Sequence, residues 1–214
     1  MMTFEIELKA RVEAPETVKK RLSALGKYEA AYEKDDTYWV SPFENSGLPP
    51  SGLRVRRETS VDKAGKTSKT NLATYKIRKI QDGIEVNEER EFAVSDGETF
   101  EDLLGRLGLK RKIRKSKRGW AWIYGPPETR APPERETAEA GSPIRMELSD
   151  VGELGWFLEL EILAPRDDDA LVARCRGELL DLLEKTGLST GKIENRPYTE
   201  MLAAKRAGLN ENPA

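Results

Sequence analysis

Six pairs of like charges, each two residues apart, constrain the fold of this chain more than any other feature. Three are acidic (Glu5/Glu7, Glu89/Glu91 and Glu159/Glu161) and three are basic (Arg54/Arg56, Lys76/Arg78 and Lys115/Lys117). In a β-strand successive side chains point to opposite faces, so residues i and i+2 share one. Phe4, Ile6 and Leu8 thus oppose Glu5, Glu7 and Lys9, while Leu53 and Val55 oppose Arg54 and Arg56. Two carboxylates on one strand face stand roughly 6.6 Å apart. A single strand of this kind is explained by a solvated charged face. Repetition and sorting argue for more, because solvated faces mix Lys, Glu, Ser and Thr freely and these strands carry one sign each.

If the sheet closes, the charged faces converge on one lumen and the apolar faces pack outward against helices. That inverts the small barrel whose interior is filled with apolar side chains. Unpaired buried charge is costly, so such a lumen makes sense as a binding site. Basic residues suit a highly anionic ligand, and carboxylates suit the divalent cations that accompany it. Triphosphate with Mg²⁺ or Mn²⁺ is the ligand class that needs both.

Composition narrows the chemistry. Charged residues make up 35% of the 214, yet the net charge is only −2. This argues against a nucleic-acid binder that relies on a basic surface. There is no histidine, which excludes imidazole bases and His metal ligands, and Cys175 is the only cysteine. Neither an intrachain disulfide nor a Cys-cluster zinc site can form. Any metal must be held mainly by carboxylate oxygens, which favours a hard ion. With no long apolar run or targeting signal, a cytoplasmic location without membrane attachment is expected.

Along the chain, Pro15 to Leu25 predicts a helix with Pro15 in its first turn and Gly26 as its stop. Tyr28 to Val40 reads as a strand, 41–52 as a loop, and 58–72 as a loop or a long hairpin connection. Gln81-Asp82-Gly83 signals a turn. A second helix follows Ser95-Asp96, with Phe100, Leu103, Leu104 and Leu107 as its apolar stripe. The basic run 110–118 leads into Trp120, Trp122 and Tyr124, whose alternation marks packing rather than base stacking. Residues 125–143, rich in proline, form an excursion inside a strand pair. A third helix over about 167–185 buries Leu171, Cys175, Leu179, Leu182 and Leu183, which makes Cys175 a core residue. A short helix is expected within 197–207. An E-x-E strand precedes a helix three times, which suggests related β–α units.

Glu5-x-Glu7-x-Lys9 resembles the ExExK signature of the CYTH superfamily, the triphosphate tunnel metalloenzymes. Class IV adenylyl cyclases, thiamine triphosphatases, and inorganic and RNA triphosphatases belong to it. Leu53–Arg56, Tyr75–Arg78, Glu89-x-Glu91, Lys115-x-Lys117, Leu154–Glu161 and Arg196–Leu202 follow in the family's order. The resemblance implies an α+β fold: an eight-stranded antiparallel β-barrel, or tunnel, with helices packed outside. It implies one domain over 1–207, with insertions at about 41–52, 58–72 and 125–143 and a flexible tail at 208–214.

By the same resemblance, Glu5, Glu7, Glu159 and Glu161 hold Mg²⁺ or Mn²⁺. Glu89 and Glu91 hold a second metal or orient basic groups. Lys9, Arg54, Arg56, Lys76, Arg78, Lys115 and Lys117 bind phosphates, with Lys9, Lys76 and Arg56 in catalytic roles. Many members carry an Asp after the strand that here contains Met146–Leu148. This chain has Ser149 and then Asp150, and a one-residue shift reverses side-chain direction. Relatives often have Lys and Arg at Lys115/Lys117, and lysine lacks arginine's bidentate fork.

The expected ligand is a triphosphate-containing small molecule (inorganic triphosphate, ATP or thiamine triphosphate), acted on by a metal-dependent phosphohydrolase. The alternatives are a class IV adenylyl cyclase, a non-catalytic polyphosphate- or nucleotide-binding module, and a structural β-domain. No membrane or nucleic-acid partner is expected, and a homodimer is an option for the assembly.

Overall fold

The computed structural model describes residues 3–43, 52–81, 84–125 and 142–208. The expected turn at Asp82-Gly83, most of the 41–52 loop, most of the 125–143 excursion and nearly all of the C-terminal tail lie outside these residues. Eight strands form: β1 (Thr3–Val12), β2 (Lys27–Val40), β3 (Leu53–Asp62), β4 (Thr67–Gln81), β5 (Ile84–Ala93), β6 (Lys110–Tyr124), β7 (Ile144–Asp150) and β8 (Trp156–Ala164). They close in the order β1-β5-β4-β3-β2-β6-β7-β8, with β8 pairing back onto β1, and every pairing is antiparallel. The sheet is therefore the closed barrel that the alternation implies.

The apolar core lies outside this barrel. Ile6, Leu8 and Ala10 of β1, Met146 and Leu148 of β7, and Leu158, Leu160 and Ile162 of β8 are almost fully buried. They pack against Val18 and Leu22 of α1 (Pro15–Leu25) and Leu171, Val172, Cys175, Leu179, Leu182 and Leu183 of α3 (Asp169–Lys185). Trp122 joins this layer, and Trp120 stacks on Trp156 at 5.7 Å. Their packing role agrees with the expectation. Gly26 ends α1 in an extended conformation. Its need for glycine comes from close approach: a Cβ there would lie 2.8 Å from the Ile123 carbonyl oxygen. Gly187, beyond α3, has a left-handed backbone (φ +78°), and the Arg21 guanidinium fills the place a side chain would take.

One expectation is decided and one needs correction. Of the loop and the long hairpin connection read at 58–72, the structure has the hairpin, since β3 and β4 stay paired out to Val61 and Thr67. Its turn is tied by Asp62, whose carboxylate accepts from the Ala64 and Lys66 amides. The strands read as loop because both faces of this arm meet solvent. In the second helix, α2 (Gly97–Arg106), Leu104 is buried against Trp39 and Val55, but Leu103 and Leu107 are exposed. Glu101 faces the barrel instead, 3.0 Å from Arg57 and 3.8 Å from Arg111, so ion pairing rolls the helix away from the expected stripe.

A fourth helix, α4 (Tyr198–Arg206), packs against the barrel near Phe157. Tyr198, Met201 and Leu202 pack on Phe157, a β8 residue whose side chain lies on the lumen face. Arg206 pairs with Glu153 at 2.7 Å to hold the helix in place. Among the described residues no helix is long and apolar enough to cross a membrane.

Candidate active site in the barrel lumen

The lumen is a cavity of about 790 Å³, within the size range of small-molecule sites. Glu5, Glu7, Lys9, Arg54, Arg56, Lys76, Arg78, Glu89, Glu91, Lys115, Lys117, Glu159 and Glu161 all line it. Every site residue expected from the sequence is therefore brought to one chamber. Pleat and register explain this convergence. Glu7 stands directly across from Glu161 and Lys9 from Glu159 on the β1–β8 pair, while Lys76 faces Glu89 across β4–β5.

The like-charged strands meet opposite charges across the chamber. Lys76 Nζ lies 2.5 Å from Glu5, 2.8 Å from Glu89 and 3.8 Å from Glu7. Burial would lower the Lys76 pKa, but Glu5, Glu89 and Glu7 override it and hold the ammonium well above its usual range. Lys76 is thus a fixed positive charge in the chamber. Arg54 donates to Thr74 and lies 3.3 Å from Glu91. Glu89 and Glu91 are thus each paired with a basic side chain, Lys76 and Arg54. Arg78 pairs with Glu85 at 2.8 Å, and Lys9 lies 3.4 Å from the same carboxylate. Tyr198 sits beneath Lys9 and Lys115, with its ring centre 4.6 Å and 5.0 Å from their ammonium nitrogens.

Several residues in and behind the lumen wall escaped the sequence reading. Asp36, enclosed behind the lining, is almost completely buried; it accepts a two-point bond from Arg56 (2.7 and 3.0 Å) and lies 2.9 Å from Lys115. Lys34, Arg145 and Glu147 line the chamber itself, as do Glu58 and Glu85. Lys34 and Asp36 sit in the four-charge run Glu33-Lys34-Asp35-Asp36, which hides the two-residue period. Arg145-x-Glu147 alternates with opposite signs, and a search for like pairs passes over it. Asp150 points away from the chamber to exposed Arg118, 3.3 Å away. Ser149 is fully buried and shares a 2.6 Å hydrogen bond with the Tyr32 hydroxyl.

The carboxylates differ in how well they are compensated. Burial would raise the Glu159 pKa, but Lys117, 2.5 Å away, holds it at about 2. Glu147 is likewise held well below its usual range, against the effect of burial, by Lys117 and Lys34. Glu161 is pushed up to about 8 by burial and then by Glu5, and Glu7 is raised by burial and then by Glu85 and Glu159. On the cationic side, burial pulls Lys34 down to about 8 in spite of Glu147.

Among the described residues no three carboxylates converge closely enough to hold an ion as the side chains stand. The donor chemistry nevertheless fits a hard divalent cation. Glu7 and Glu161 face each other with raised pKa values, which marks negative charge that the lumen's own cations leave uncompensated.

The CYTH domain profile matches residues 3–198, and the chain belongs to the CYTH domain family. Among solved structures it is similar to the PH1012 protein of Pyrococcus horikoshii OT3, at 24% identity over 92% of this chain and 98% of that one (TM-score 0.64). A protein of Vibrio parahaemolyticus described as a candidate adenylate cyclase is 19% identical over 94% of this chain and 98% of its own (TM-score 0.67). A Hippeastrum protein, described both as a candidate adenylyl cyclase and as having a dominant triphosphatase activity, is 14% identical over 96% of each chain (TM-score 0.57). These likenesses establish the tunnel fold. A search of curated proteins finds no match.

Proposed function

We propose that the chain is a divalent-metal-dependent enzyme acting on a triphosphate, as a phosphohydrolase. The carrying observation is one closed chamber in which a carboxylate wall, β1 and β8, stands against cations on β2, β3, β4 and β6. An anionic ligand draws the cations off their carboxylate partners. The carboxylates so released need a new counterion, which a divalent cation supplies. Ligand and metal therefore favour each other's binding.

Glu5, Glu7, Glu159 and Glu161 are the residues that would hold the metal. Bound there, the ion would neutralise phosphate charge and act as a Lewis acid. The chain's own cations do the rest. Arg54, Arg56, Lys76, Arg78, Lys115 and Lys117 bind and align the phosphates. Lys9, Lys76 and Arg56 stabilise the negative charge that grows on the transferring phosphoryl group. Tyr198, which lines the chamber, sets its aromatic ring against Lys9 and Lys115 and holds their ammonium groups toward the ligand.

A second reading, the class IV adenylyl cyclase, draws support from the description of the Vibrio structure. Incubation of the purified protein with ATP, and separately with inorganic triphosphate, plus Mg²⁺ or Mn²⁺ separates the two. Orthophosphate release is the expected result. Cyclic AMP with pyrophosphate would replace the hydrolase with the cyclase, and metal-dependent binding without turnover would replace both with a binding module.

A further inference from the structure

Three cations on three adjacent strands converge on one carboxylate at the β2–β6–β7 wall. Lys34 Nζ lies 2.7 Å from Glu147 Oε1, Arg145 Nη2 lies 3.0 Å from the same oxygen, and Lys117 Nζ lies 2.9 Å from Oε2. Lys34, Lys117 and Glu147 are almost completely buried, yet all four side chains line the chamber. Each cation has one further acidic partner: Glu58 is 3.9 Å from Lys34, Glu29 is 3.5 Å from Arg145, and Glu159 is 2.5 Å from Lys117; the Tyr32 ring centre lies 4.3 Å from Lys34 Nζ. Arg145 Nε is buried and makes no hydrogen bond among the described residues.

A planar carboxylate offers two oxygens to this group of donors. A phosphoryl group offers three and meets arginine and lysine donors in the same charge-assisted way. Asp36 presents a useful contrast. It too is clamped by cations, Arg56 and Lys115, but its side chain is fully enclosed and is absent from the chamber lining. Asp36 is a fixed strut, whereas Glu147 stands where a ligand can replace it.

We propose that Lys34, Lys117 and Arg145 form an additional phosphoryl subsite, which Glu147 fills as a tethered anion until a ligand displaces it. This rests on the reading of the chamber as a triphosphate site and adds Lys34, Arg145 and Glu147 to it. The consequence is that Glu147 masks Lys34. Removing the lysine costs little while the carboxylate competes, and costs much more once the carboxylate is gone.

The test is calorimetric titration of the full chain with inorganic triphosphate in Mg²⁺, using wild type, Glu147→Gln, Lys34→Gln and the double variant. Glu147→Gln is expected to bind about 3- to 10-fold more tightly. Lys34→Gln is expected to weaken binding less than about 3-fold alone, but about 10-fold or more in the Glu147→Gln background. Lys34→Arg retains the charge and restores binding, and thermal melts confirm that each variant is folded. Additive effects of the two substitutions, or weaker binding by folded Glu147→Gln, would overturn the subsite. Arg54→Gln separates this failure from a wider one. If Arg54→Gln weakens binding while Lys34 and Glu147 act additively, only the subsite falls. If wild type binds no triphosphate, the reading of the chamber falls with it.

Discussion

Leu160 and Glu161 are neighbours on β8, and their side chains lie on opposite sides of the barrel wall. Leu160 is fully buried in the outer layer with the helices, and Glu161 lines the chamber. The same division runs along β1, with Ile6, Leu8 and Ala10 outside and Glu5, Glu7 and Lys9 inside. Apolar burial and charged chemistry are held on opposite faces of one wall. Outward residues gain the free energy of apolar burial. Inward residues pay desolvation that their ion pairs only partly return, as the raised Glu7 and Glu161 show. Under the proposed function, a ligand and its metal complete this face.

Damage to the outer face should have the largest effect on stability. Leu160→Ala should lower unfolding free energy by about 2–5 kcal/mol, read by denaturant unfolding, while the folded fraction retains its triphosphate affinity. Next comes the inner face: Lys76→Gln should weaken triphosphate binding by at least about 30-fold, because one ammonium serves three carboxylates and the ligand. Arg56 is a less clean probe, since its removal strands the enclosed Asp36.

The pH dependence of the metal-free protein sharpens the same contrast. Glu161 titrates at about 8 in the fold against an ordinary 4.5, and Glu7 is shifted in the same direction. A raised folded pKa leaves its stability contribution complete below about 4.5, and that contribution is lost as pH rises through about 8. The lowered carboxyls, Glu147 and Glu159, act only on the acid side of that window. Lys34, with a lowered pKa, recovers stability only above about 8. Melting temperature should therefore fall between pH 5 and pH 8, and Glu161→Gln should flatten the fall. A wild-type profile that is flat or rises across this window would contradict the assignment. The smallest effect is expected at Asp150, which faces Arg118 outside the chamber. Asp150→Asn should change stability by less than about 0.5 kcal/mol and leave turnover unaltered.

The barrel was legible because a two-residue period states which face each side chain takes, and the like-charged pairs made the inner face visible. The same rule explains the omissions. Glu147, paired with Arg145, and Lys34 and Asp36, inside a run of charges, carry the same geometry without the like-sign label. Cross-strand register, which no local pattern encodes, decides that Lys76 meets Glu5, Glu89 and Glu7. The roll of α2 depends on Glu101 reaching Arg57 and Arg111, a contact between segments far apart in sequence. Asp150 shows the rule at its most informative, since one residue's displacement from Ser149 turns it to the outer face.

The inward face is proposed to be a triphosphate site completed by a divalent cation. Titration of the protein with inorganic triphosphate, with Mg²⁺ present and with the metal chelated, tests it most directly when wild type is run beside Lys76→Gln and Leu103→Gln. Metal-dependent binding is expected, which Lys76→Gln weakens by at least about 30-fold and which the exposed α2 substitution leaves untouched. Binding that ignores both the metal and Lys76, or no binding by the folded wild type, would contradict it.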